Sequence, residues 1–313
     1  MYQELRIFSG NAHPDLAQAI CDYLETAPGR CEVFQFSNEN IFVRFCENIR
    51  ARDVFLVQPI VSPVNDRLME LFIMIDAAKR ASAGRVTAVV PYYAYGRSDK
   101  KDQPRVPITA RLVADLLTTA GADRVVTMDL TAAQIQGFFR IPVDHLTALP
   151  ILCNYFAAKK LKHPVVVAPD AGSAKWASRY AERLGAPLVL LDKRRLGNSG
   201  EVSIANVVGE VQDAEAIVFD DEIDRASSVA EAARVLLDHG AREVYAGCTH
   251  GVLSGPAVER IAASPLKEVV VTNTIPIPPA KRIPKITVLS VADLLAQAIR
   301  GVHEGASLSP LFR

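Results

Sequence analysis

The sequence predicts an α/β protein of two similar domains, each a mainly parallel sheet flanked by helices. Three observations carry that expectation. Strand-length apolar runs alternate along the chain with segments whose apolar residues recur at helical spacing, as in sheets joined by right-handed helical crossovers. Runs such as Asp53-Val-Phe-Leu-Val-Gln-Pro59 are apolar without alternation, which suits strands buried on both faces. The pattern also repeats: Gly121-Ala-Asp-Arg-Val-Val126 is echoed by Gly240-Ala-Arg-Glu-Val-Tyr245, and Val54-Phe-Leu-Val-Gln-Pro59 by Val165-Val-Val-Ala-Pro-Asp170. Unrelated stretches of common strand chemistry are the competing account of the echo. The domain division placed on it is 1–147 and 148–313, with the last helix, 291–302, a candidate to pack on the first domain.

Residues 5–8 read as a strand closed by Ser9-Gly-Asn11, and His13-Pro-Asp15 leads into a helix through Leu16, Ala19, Ile20 and Leu24. Residues 32–36 form another strand, and a polar turn through residue 40 precedes Ile41-Phe-Val-Arg-Phe45. Asn65 or Asp66 is the expected cap of the next helix, whose Leu68, Leu71, Phe72 and Ile75 repeat at helical spacing. Residues 87–91 make a strand, followed by a long loop, aromatic and then charged, through Pro104. Such a loop is usually just solvated, yet it follows a strand's carboxyl end, where open α/β sheets bind ligands. A helix through Leu112, Val113, Leu116 and Leu117 is then ended by Gly121.

In the second half, Asp170-Ala171-Gly172-Ser173 follows a strand and precedes a helix through Trp176, Tyr180 and Leu184. A phosphate turn with a metal-binding carboxylate suits that place, although the motif alone is weak. Asp192-Lys-Arg-Arg195 runs into Gly197-Asn-Ser-Gly200. Three cations before a flexible loop read equally as a polyphosphate clamp or a solvated turn.

The most informative stretch is Ala216-Ile-Val-Phe-Asp-Asp-Glu-Ile-Asp-Arg-Ala-Ser-Ser-Val-Ala-Glu231. It reads as a strand over 216–219, an acidic loop over 220–227 and a helix opened by a Ser228/Glu231 capping box. Gly240 is the expected stop. A helix N-terminus at a strand's carboxyl end suits phosphate, and carboxylates at the same turn suit sugar hydroxyls or hydrated Mg²⁺. On pattern alone, an ordinary turn with solvating acids is the simpler reading.

Composition narrows the class. The 35 basic and 35 acidic residues cancel, so no global field attracts nucleic acid. Five cysteines without C-x-x-C spacing point to reduced thiols in a cytoplasm. No apolar run reaches a membrane span and the start lacks a signal-peptide core. The six histidines show no paired metal spacing and read as structural. No nucleophile elbow or P-loop is present.

Four stretches resemble the ribose-phosphate diphosphokinase (phosphoribosyl pyrophosphate synthetase) family: Pro63-Val-Asn-Asp-Arg-Leu-Met-Glu-Leu71, Pro91-Tyr-Tyr-Ala-Tyr-Gly-Arg97, Gln134-Ile-Gln-Gly-Phe-Phe139 and Thr249-His-Gly-Val-Leu-Ser-Gly-Pro256. The resemblance implies two domains of the type I phosphoribosyltransferase fold, the first on the ATP side and the second on the ribose-phosphate side. It also implies transfer of the diphosphoryl group of MgATP to C1 of ribose 5-phosphate, with release of AMP, by homodimers or homohexamers. Lys193 and Arg195 match the catalytic cations. Phe36, Asn38, Asn40, Arg97, Ser98 and Asp99 match the ATP site. Asp220, Asp221, Asp224, Arg225, Ala226, Ser227 and Ser228 match the ribose-phosphate loop, and residues 170–173 match the pyrophosphate loop, with Asp170 beside the metal.

Departures accompany the matches. Thr131 stands at the family's metal–ATP histidine, Asn40 at a glutamate, Ser98 at a glutamine and Ser173 at a glycine. The family's Asp-Thr-x-Gly-Thr appears as Asp224-Arg-Ala-Ser-Ser228. If Ser227 must take the glycine's positive φ, the strain is about 1–2 kcal/mol, while Arg225 offers a bidentate anion contact. Besides a working synthetase, these changes leave open an impaired paralogue that joins an active one as a hetero-oligomer, and an enzyme with a changed acceptor.

Overall fold

The computed structural model describes residues 4–195 and 202–312, without side chains at 193–195 and 202–205. The chain divides into two compact units: Met1–Thr147 with Thr274–Pro276 and Ser290–Arg313, and Ala148–Asn273 with Ile277–Leu289.

The first unit holds a parallel sheet of β1 (Leu5–Ser9), β4 (Asp53–Val57), β5 (Arg85–Val90), β6 (Arg124–Met128) and β7 (Val143–Leu146), in that spatial order. Every residue of β4 is buried, as its unbroken apolar run requires. Helices α1 (Pro14–Tyr23), α2 (Val64–Arg80), α3 (Thr109–Ala120) and the chain's last helix, α8 (Ala292–Glu304), complete the unit. A separate antiparallel hairpin of β2 (Cys31–Gln35) and β3 (Ile41–Phe45) sets Val33, Val43 and Phe45 on the core. Its other face leaves Phe34 and Phe36 exposed.

The second unit carries a seven-stranded sheet. Its order is β10 (Val202–Val208), β9 (Leu188–Arg195), β8 (Pro164–Ala168), β11 (Glu215–Ile223), β12 (Glu243–Gly251), β13 (Glu268–Thr272) and β14 (Ile286–Leu289), with only β10 antiparallel. Helices α4 (Leu149–Ala158), α5 (Ala174–Leu184), α6 (Ser227–Asp238) and α7 (Ala257–Ala263) flank it.

The sequence echo corresponds to one repeated connection. Gly121 ends α3 and Gly240 follows α6, both at positive φ, where glycine avoids the Cβ clash. Ala122 then donates its N–H to Leu117 O as Ala241 does to Leu236 O, and Asp123 reaches Val86 O as Arg242 reaches Ala214 O. The second echo, on β4 and β8, lies two strands from β6 and β12 respectively.

Several local expectations fail. Pro63, not Asn65 or Asp66, sits at the α2 cap, without a side-chain bond; Asn65 falls within the first turn and accepts from the Tyr95 hydroxyl at 2.6 Å. The Ser228/Glu231 capping box does not form, because α6 begins at Ser227 and both residues lie inside it. Helix α3 forms as expected through Leu112, Val113, Leu116 and Leu117 up to Gly121; Val113 and Leu117 are buried and Leu112 and Leu116 exposed, since a helix flanking a sheet buries only one stripe.

Candidate functional site

In the second unit the acidic residues stand at the carboxyl end of the sheet. Asp220 and Asp221 are not in a loop, as expected; β11 continues through them because pairing with β12 runs on to Glu222↔His250 and Ile223↔Gly251. The turn is only Asp224, Arg225 and Ala226 before α6. Asp220 Oδ1 accepts the Asp221 N–H at 3.0 Å. Asp221 Oδ2 is buried with no hydrogen-bond partner, a costly state for a carboxylate oxygen unless a ligand satisfies it. Burial, reinforced by the Asp220 carboxyl, pushes the Cys248 thiol well above its ordinary value, so this neighbour stays protonated rather than serving as a nucleophile.

The strained residue of the turn is Ala226, at φ 57°, ψ 9°. Ser227, expected to carry the strain, starts the helix. A left-handed alanine costs about 1–2 kcal/mol and persists where its surroundings over-determine it. No side chain caps α6, so its first N–H groups retain capacity for an anion, and the left-handed residue before them adds another N–H to the same concavity. Arg225 and Ser227 are exposed beside it.

After β8, Ser173 is interlocked with Asp170. Its N–H donates to Asp170 Oδ1 at 2.9 Å, and its hydroxyl donates to Asp170 O at 2.8 Å and accepts from Asp170 N at 3.2 Å. A glycine at 173 lacks the two hydroxyl contacts. Ala171 and Gly172 complete the tight turn into α5. On β9, Lys193 pairs with Ile204 and Arg195 with Val202 across the antiparallel edge, so the cations occupy a strand instead of a turn. Their side chains, like residues 197–200 of the expected flexible loop, lie outside the described residues.

In the first unit, Arg97, Ser98 and Asp99 follow β5. Arg97 is exposed and Asp99 half-buried. Ser98 is committed to the fold: its Oγ accepts the Thr109 N–H at 3.4 Å and its carbonyl accepts the Ala110 N–H at 3.1 Å, at the start of α3. Thr131 follows β6 and is exposed. The turn before it is held by His145, whose Nε2 accepts the Leu130 N–H at 2.8 Å. At the hairpin tip, Phe36 lies edge-on to Phe34 and Phe42, at 5.1 and 5.9 Å between ring centres. Asn38 Oδ1 accepts the Asn40 N–H at 3.2 Å. Other histidines also have structural partners: His13 Nδ1 accepts the Leu16 N–H at the α1 cap, and His239 bonds its own helix at Val235 O.

The motif Thr249-His-Gly-Val-Leu-Ser-Gly-Pro256 carries no assigned role in the sequence. In the structure Ser254 donates to Asp224 Oδ1 and Arg260 Nη1 to Arg225 O. An unassigned family motif was itself the available signal for Ser254; Arg260 had none.

Comparison with known proteins gives one answer at every level. The N-terminal domain of ribose phosphate pyrophosphokinase matches residues 5–121, and the phosphoribosyl synthetase-associated domain matches residues 198–313. The chain is 54% identical to a ribose-phosphate pyrophosphokinase of Caldanaerobacter subterraneus, covering 98% of each chain. It is 52% identical to that of Clostridium acetobutylicum, over 99% of this chain and 98% of the other. The crystal structure of phosphoribosylpyrophosphate synthetase from Mycobacterium smegmatis superimposes with a TM-score of 0.92 at 46% identity, over 97% of this chain and all of that one. The chain belongs to the ribose-phosphate pyrophosphokinase family.

Proposed function

We propose that the protein transfers the diphosphoryl group of MgATP to the C1 hydroxyl of ribose 5-phosphate, releasing AMP. The observation that carries the acceptor site is the β11–α6 junction, where two strand-end carboxylates meet a left-handed turn and an uncapped helix. The N–H groups of that turn take the 5-phosphate, with Arg225 as a further cation. Asp220 and Asp221 accept from ribose hydroxyls, Asp221 Oδ2 being the oxygen that needs a donor. On the first unit, Phe36, Asn38 and Asn40 form the adenine wall, and Arg97 and Asp99 the triphosphate edge. Lys193 and Arg195 stabilise the transferring group, chemistry in which a protein mainly positions reactants and neutralises charge.

Mg²⁺ characteristically binds through one or two carboxylates, water and substrate phosphates, and the half-buried carboxylate just after β8 suits that chemistry. Asp170 is the carboxylate for this role, with Thr131 offering only a hydroxyl. When bound, the ion supplies charge neutralisation at the phosphates. Homodimers or homohexamers in a cytoplasm complete the reading; among the described residues no helix is long and apolar enough to cross a membrane. Near-full-length relatives of about half identity support the working enzyme and give no support to the impaired regulatory paralogue.

The deciding experiment measures AMP release from MgATP by the purified chain, with and without ribose 5-phosphate, beside Lys193→Ala. Acceptor-dependent AMP that disappears in the variant is expected. Equal release without the sugar phosphate, or none, defeats the reading.

A further inference from the structure

The segment that follows β12 is stitched to the turn that precedes α6. Leu253 N donates to Ile223 O at 3.1 Å, and Ser254 N to Asp224 O at 2.9 Å. Ser254 Oγ donates to Asp224 Oδ1. From α7, Arg260 Nη1 donates to Arg225 O at 3.0 Å. Three successive carbonyls, Ile223 at the end of β11 and Asp224 and Arg225 in the turn, are thus each held by a donor from residues 253–260.

The pattern has a geometric result. In a trans peptide the C=O and the following N–H point in opposite directions. Anchoring the carbonyl of Arg225 on Arg260 therefore turns the N–H of Ala226 away from α7. The same argument applied to Asp224 and Ser254 turns the N–H of Arg225 away from the 253–256 loop. Both segments contain a non-glycine residue at positive φ, Ala226 at 57° and Leu253 at 49°, so neither turn follows from its own preferences; the bonds between them fix both. Leu253 is completely buried, which makes the 253–256 side the firmer partner.

We infer that Ser254 and Arg260 are positioning residues for the sugar-phosphate acceptor: Ser254 sets the rotation of the Asp224 carboxylate, and Arg260 sets the peptide whose N–H receives the phosphate. Neither touches substrate in this role. The inference rests on the assignment of the 224–228 turn to ribose 5-phosphate. It implies an uneven outcome: loss of either donor weakens the acceptor while leaving the nucleotide, which the other assigned residues hold, nearly as before.

The test compares the wild type with Ser254→Ala, Ser254→Thr, Arg260→Ala and Arg260→Lys. Calorimetry gives the Kd of ribose 5-phosphate, and AMP release gives KM for both substrates. The alanine variants are expected to raise Kd and KM for ribose 5-phosphate about 3- to 10-fold, the effect of one lost hydrogen bond. KM for ATP should stay within about twofold, and Ser254→Thr and Arg260→Lys should recover most of the loss. Unchanged ribose 5-phosphate binding in both alanine variants overturns the inference. So does a parallel loss for both substrates accompanied by a lower Tm, which marks general destabilisation. A wild type that binds ribose 5-phosphate yet releases no acceptor-dependent AMP defeats the transfer reaction but not the positioning role, which the Kd values decide alone. A wild type that does not bind ribose 5-phosphate overturns both.

Discussion

His303 Nδ1 lies 2.8 Å from Asp53 Oδ2, joining the last helix to a strand 250 positions earlier in the chain. Asp53 is fully buried and also receives Arg85 through Nε and Nη2, at 2.8 and 2.5 Å, while Arg85 Nη2 continues to Val302 O. One carboxylate thereby fixes β4, β5 and α8. Asp53→Asn removes the buried charge that the half-buried Arg85 guanidinium is paired with, and removing one partner of such an enclosed pair costs about 3–5 kcal/mol. Urea unfolding should show that loss, and hydrogen exchange should show α8 opening first.

The half-buried Glu268 gives a pH signature. Burial disfavours ionised Glu268, but the Lys159 ammonium at 2.6 Å and the Thr287 and Tyr155 hydroxyls outweigh it and hold the carboxyl below the usual range. A group with a depressed folded pKa stabilises the fold above its unfolded value, about 4.3, and that contribution is lost as pH falls through the folded value. Glu268→Gln is expected to cost roughly 1–3 kcal/mol at pH 7, the range for lost hydrogen bonds to a charged group. The gap from wild type should close below about pH 4. Chemical denaturation at a series of pH values checks both; a gap that widens in acid would contradict the assignment.

Ala226 supplies a third prediction, because its strain is local and removable. Ala226→Gly should raise stability by about 0.5–1 kcal/mol, the relief of φ 57° offset by a freer unfolded chain. Ser227→Gly should lower it by a similar amount, since Ser227 is helical and glycine costs about 1 kcal/mol there. Denaturation midpoints moving in opposite directions are the expected sign.

Thr131 is exposed, so a larger side chain enters without burial. Thr131→His restores a metal-competent imidazole to the turn held by His145, and it should lower KM for MgATP about 3- to 10-fold, the gain of roughly one hydrogen bond or ligand contact. An unchanged KM would show that the threonine is fully tolerated.

Much of this organisation was legible in the sequence for physical reasons. β4 and β8 announced themselves because double-sided burial leaves no polar alternation, and Gly121 and Gly240 marked helix ends because few other residues tolerate their φ. The failures were equally physical. Ser228 has the spacing of a cap, but spacing cannot reveal that tertiary bonds hold Ala226 left-handed two residues earlier. Asp220 and Asp221 look like loop residues because they are acidic; pairing with β12 keeps them in a strand. The bond from the Thr109 N–H to the Ser98 hydroxyl spans eleven residues, a pairing that no local pattern displays.

Helix α8 packs against α1 and buries Ala292, Leu295, Ala296, Ile299 and Val302, yet in sequence it follows the whole of the second unit. During synthesis the first unit therefore emerges early and stays unfinished, with the apolar flank of α1 open, until residues 292–304 leave the ribosome. The second unit is nearly continuous in sequence and closes before then. A ribosome that stops anywhere in the second unit releases a chain whose first unit lacks its last helix, which makes that uncovered flank a natural mark of incomplete product for chaperones and proteases.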